Sequence, residues 1–124
     1  MAQPATTEIQ PARLEQYLAN LIRIHIEESG AEIVPYNPEL SPAELNLDEL
    51  DVAEIAFKLE DRFGMNWGQG DEVYRRFSDP AEAGRVSAEP IGTIITKVSD
   101  YLTQQAQADP RLREGLERAL AASP

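Results

Sequence analysis

Apolar residues in this chain recur at three- and four-residue spacing rather than in alternation, so the pattern predicts an all-α protein built from amphipathic helices. The clearest segment is Leu45 to Phe63. Asp48 reads as its N-cap, and Glu49 and Asp51 place negative charge in the first turn, where the helix dipole favours it. Ile55, Leu59 and Phe63 follow at four-residue spacing as the stripe that wants burial, while Asp51, Glu54, Lys58 and Asp61 can stay in water. Leu50, Ala53 and Phe57 form a second stripe interleaved with acids. One core face does not need it, which makes it a candidate partner surface.

The rest of the pattern is punctuated by Gly and Pro. Residues 1–11 hold two prolines and two threonines with little apolar content and read as a loose arm. Leu14, Tyr17, Leu18, Leu21, Ile22 and Ile26 predict a first helix over 12–29, closed by Gly30. His25 within it has no second ligand or nucleophile nearby and reads as structural. Pro35, Pro38 and Pro42 exclude a regular helix across 31–44, yet Ile33, Val34, Tyr36 and Leu40 allow that connection to pack down.

Gly64 is placed to close the second helix. Residues 65–70, with Trp67 ahead of two glycines, read as a turn, and the tryptophan as covering a small core in preference to serving as a binding aromatic. Asp71 then caps a short helix to about Ser78, with Val73, Tyr74 and Phe77 on one side. A further helix carries Ile94, Ile95, Val98, Tyr101 and Leu102, followed by a polar spacer over 104–108. Asp109-Pro110 begins a terminal helix marked by Leu112, Leu116 and Leu120, which could pack on the domain, self-associate or fray.

The segment Leu45-Asn46-Leu47-Asp48-Glu49-Leu50-Asp51, with Leu59-Glu60-Asp61-Arg62-Phe63-Gly64 after it, resembles the acyl carrier protein family. There the motif Asp-Ser-Leu-Asp opens the second helix. Thr93 to Leu102, with its Asp100-Tyr101 pair, is similar to the last helix of carriers and falls in the expected order. The resemblance implies a carrier-like four-helix bundle over 12–103, with an insertion over 68–89, and a spacer and extra helix over 104–124. It also implies a phosphopantetheine arm. However, the serine that would bear the arm is Glu49 here, and a carboxylate does not form that phosphodiester. The expectation is therefore a carrier-like protein with no cofactor. Ser41, the nearest upstream serine, precedes Pro42 and lacks the Asp-Ser-Leu context.

Charge sharpens the functional expectation. The chain has 124 residues, 22 acids against 11 Lys and Arg, and a formal net charge of −11, which disfavours phosphate-backbone binding and favours a protein partner with a basic surface. No cysteine and one histidine exclude thiol chemistry and leave a zinc site without its usual ligands. No membrane span or signal peptide is indicated, so the cytoplasm is the expected location. Gly68-Gln69-Gly70 is too short to cradle phosphate, and Asp48, Glu49, Asp51 and Glu54 do not follow calcium-loop spacing.

The leading expectation is a non-catalytic interaction module. Its partner face would comprise Asp48, Glu49, Leu50, Asp51, Ala53, Glu54, Phe57, Glu60 and Asp61. The alternatives are an acyl carrier in fatty acid, lipid or polyketide-type biosynthesis, with its arm attached elsewhere, and a small carboxylate-dependent enzyme.

Overall fold

The computed structural model describes residues 9–29 and 34–122. Among them are five α-helices and no strand: α1 Pro11–Glu28, α2 Glu49–Phe63, α3 Trp67–Arg76, α4 Ile91–Ala108 and α5 Pro110–Ala122. The expected arm up to residue 8, the expected Gly30 cap and Ile33 lie outside the described residues.

Helix α1 starts at Pro11, one residue before the sequence pattern puts it. Proline suits that position because its missing N–H would have no intrahelical partner there and its φ is already helical. Leu14, Leu18, Leu21, Ile22 and Ile26 are buried along one face. The helix ends at Ser29, whose Oγ donates to the Ile26 carbonyl at 2.8 Å.

Helix α2 begins where Asp48 was expected to cap it. The Asp48 side chain accepts from the Asp51 N–H at 2.9 Å, and the Asp51 carboxylate accepts from the Asp48 N–H at 3.0 Å, a reciprocal pair that satisfies two otherwise orphaned donors. Leu45 to Leu47 are not helical. They close a turn in which Asn46 takes a φ of 62°, a region asparagine tolerates, and Leu45 and Leu47 are buried beneath it. At the other end Gly64 adopts the left-handed conformation, and its N–H bonds the Glu60 carbonyl.

The turn expected over 65–70 is instead the start of α3. Asn66 accepts from the Gln69 N–H at 2.8 Å, and Gln69 Oε1 accepts from the Asn66 N–H at 3.1 Å. This second capping box outweighs two helical glycines, each of which costs about 1 kcal/mol relative to alanine. Gln69 is buried and also donates from Nε2 to Asp109 Oδ2 at 2.8 Å, which ties the start of α3 to the start of α5. Thus one side chain serves two helix ends.

Helix α4 begins at Ile91 rather than Thr93 and runs on through the expected spacer to Ala108, with Ala106 buried. Gln, Thr and Ala do not break a helix when one face has core to cover. Asp109 then caps α5, its Oδ1 accepting from the Arg111 and Leu112 N–H groups at 3.1 and 3.2 Å.

The terminal helix is part of the same core. Leu112, Leu116 and Leu120 are buried in one cluster with Leu14, Ile55, Phe63 and Ile94. Gly115 lies directly on the Phe63 carbonyl, and a Cβ at that position would overlap the carbonyl oxygen, so α5 approaches α2 at backbone distance. Helices α1 and α4, α2 and α3, α2 and α5, and α4 and α5 are the main packed pairs, so α2 packs mainly against α3 and α5. Its other side is left to solvent. No helix among the described residues is long and apolar enough to cross a membrane.

Candidate functional site

At about 100° per residue, Ile55, Leu59 and Phe63 fall on one arc of α2, while Leu50, Ala53, Glu54, Phe57, Glu60 and Asp61 gather on the opposite one. Burial follows that division. Ile55, Leu59 and Phe63 are 0–1% exposed, whereas Leu50 is 71% and Phe57 66% exposed. The second stripe expected from sequence is therefore present at the surface, with Glu54 and Asp61 exposed beside it.

Helix α3 adds what the sequence pattern missed. Trp67, expected to cover core, is 78% exposed at the first position of α3. It lines a groove of about 210 Å³ between α2 and α3 with Ala53, Ala56, Phe57, Glu60 and Tyr74. Gly70 floors the groove because a Cβ there would collide with the Glu60 side chain, which lies across α3. The signal for Trp67 was local: the Asn66-x-x-Gln69 capping box sets it on a helix rather than in a turn. Asp71 adds an acid at the groove and pairs with Arg75 at 2.9 Å.

Two expected partner residues are occupied elsewhere. Asp48 is committed to the cap, and Asp51 turns towards α1, where its Oδ1 lies 3.0 Å from His25 Nε2. Burial opposes ionisation of Asp51, but the Asp48 N–H and then the His25 imidazole outweigh it and hold the carboxyl below its ordinary range. Lys58 Nζ stands 3.2 Å from His25 Nδ1. Only 5% exposed, His25 thus joins α1 to the α2 cap, the structural part expected for it.

Glu49 is exposed at the first position of α2, and the Tyr74 hydroxyl donates to its Oε1 at 3.1 Å. Burial, and then the adjacent Glu49 carboxylate, raise the Tyr74 phenol above its ordinary pKa and keep it a donor. Ser41 is buried at 7% exposure, and its Oγ accepts from the Glu44 N–H at 3.3 Å inside a turn. No group of three or more His, Asp or Glu among the described residues is arranged to hold a metal ion.

No family model matches this chain, and no curated protein and no solved structure is significantly similar to it. The carrier resemblance accordingly rests on residues 45–64 and 93–102 alone.

Proposed function

We propose that this protein is a carrier-like helical module that performs no chemistry of its own and binds a protein partner with a basic, partly apolar surface. The observation that carries this reading is the pair Phe57 and Trp67, 66% and 78% exposed on one acidic groove, with Leu50, 71% exposed, on the same arc of α2 as Phe57. Large apolar side chains gathered on one surface mark interaction sites more often than single exposed ones do, and tryptophan is the residue most enriched among energetic anchors. Around them Glu54, Glu60, Asp61 and Asp71 supply long-range attraction and orientation, while exposed ion pairs add only about 0–1 kcal/mol each. The arm position is taken by Glu49, hydrogen-bonded to Tyr74, so the module carries no prosthetic group.

Two measurements test this together. The first is mass spectrometry after co-expression with a broad-specificity phosphopantetheinyl transferase, which should find the chain unmodified. In the second, proteins retained from a lysate on the immobilised chain should include one lost on Trp67→Ala or Phe57→Ala. Glu54→Lys should slow its association and flatten the salt dependence. A mass increase of one arm, or retention indifferent to all three substitutions, overturns the proposal.

A further inference from the structure

On a different surface, α1, the last turn of α2 and α5 enclose a basin of about 500 Å³, within the size range of small-molecule sites. Tyr17, Leu21, Ile24 and Ala119 supply an apolar floor, and Arg23, Arg62 and Arg118 stand around it. In a chain with 11 Lys and Arg against 22 Asp and Glu, three arginines line this basin, and no acid among the described residues does. Such a local reversal of charge calls for a cause.

Neutralising helix carbonyls explains one arginine at most. Arg62 lies in the last turn of α2, but neither Arg23 nor Arg118 is in the last turn of its helix, where a cation gains from the dipole. Internal ion pairing explains little more. Arg23 has only the exposed pair with Glu27 at 3.1 Å, a weak kind of contact, and Arg62 and Arg118 form no ion pair among the described residues. Arg62 is also held in place, donating from Nη1 to the Tyr17 hydroxyl at 3.1 Å, while the Tyr17 ring packs on Phe63 with centroids 5.4 Å apart. That bond restrains the Arg62 side chain at the edge of the basin before any ligand arrives, which lowers the cost of binding.

We propose that this basin binds a small organic anion with an apolar body, of the alkyl carboxylate or alkyl phosphate class. Planar guanidiniums match the two or three oxygens of such a headgroup in paired hydrogen bonds, and Leu21, Ile24 and Ala119 accept the chain. This site is independent of the α2–α3 groove and of any partner bound there.

The test is a titration of the isotopically labelled full chain with octanoate and with octyl phosphate, followed by nuclear magnetic resonance. Both should shift Ile24, Ala119 and the arginine Nε–H signals and leave Trp67 unmoved. Octanol, which keeps the chain and loses the charge, and inorganic phosphate, which does the reverse, should each bind at least about tenfold more weakly. Arg62→Gln and Arg118→Gln should each weaken octanoate by about tenfold with an unchanged circular dichroism spectrum. Ile24→Asp, at a position already 44% exposed, should remove binding without unfolding the chain.

Equal affinity for octanol, shifts confined to the Trp67 groove, or no shift at millimolar octanoate would overturn the assignment. So would binding to phosphatidylglycerol vesicles or polyglutamate without binding to the free alkyl anions, since the basin would then read a surface or a polymer.

Discussion

The two sides of α2 are made of the same kinds of residue and have opposite fates. Ile55, Leu59 and Phe63 are sealed in the core against α3 and α5, whereas Leu50 and Phe57, equally apolar, stand in solvent, Phe57 beside Trp67. Hydropathy does not separate them. What separates them is company: the buried side meets Leu112, Leu116 and Val73 in one cluster, and the exposed side is interleaved with Glu54 and Asp61. An apolar stripe that alternates with acids cannot be buried without stranding those charges, so it is available for a partner that brings its own cations.

The comparison breaks most sharply under truncation. Ile55→Ala, Leu59→Ala and Phe63→Ala should each lower stability by about 2–5 kcal/mol in urea unfolding, through lost transfer energy and the cavity left behind. Leu50→Ala and Phe57→Ala should stay within about 0.5 kcal/mol of the parent, as exposed positions do. If Phe57→Ala costs as much as Phe63→Ala, the exposed arc is not exposed in solution, and the partner surface goes with it.

A smaller effect is expected where the groove meets the core. Gln69→Ala removes an acceptor from the Asn66 N–H and a donor to Asp109 at a buried site, so it should cost about 1–3 kcal/mol, more than an ordinary surface cap. It should also loosen Trp67, visible as altered fluorescence anisotropy. A loss of stability with the Trp67 signal unchanged would mean that the capping box does not position the tryptophan.

Much of this fold was legible in residue spacing, and the gaps have physical causes. The caps at Asp48 and Asp109, the buried stripes of α1, α2 and α5 and the Gly64 stop are all written within a few residues of where they act. The start of α3 was hidden because Gly68 and Gly70 read as turn residues, while the side chains that outweigh them, Asn66 and Gln69, lie three apart. Trp67 was misplaced in consequence, since a residue's exposure depends on which element carries it. Asp51 turned inward for a different reason. Its partner His25 is 26 positions away, a contact no local pattern records. The arginine basin draws on residues 23, 62 and 118 and is visible only once α1, α2 and α5 are packed.

The smallest effect belongs to the two acids whose ionisation the fold favours. Asp109 is held below the ordinary carboxylate range by the Gln69 amide and then the Leu112 N–H, and Asp51 by the Asp48 N–H and His25 against the opposing effect of burial. A carboxyl with a depressed folded-state pKa stabilises the fold above its unfolded pKa, near 3.9, and that stabilisation disappears as the pH falls through the lower folded value. Stability should therefore decline below about pH 4 in part through these two groups. Asp51→Asn and Asp109→Asn should each be less stable than the parent at pH 7, and the gap should close as the pH approaches 2. Urea midpoints measured from pH 7 to 2 decide the matter: if the gap between the Asp51 or Asp109 variant and the parent stays constant into acid, that carboxylate is not held ionised by the fold.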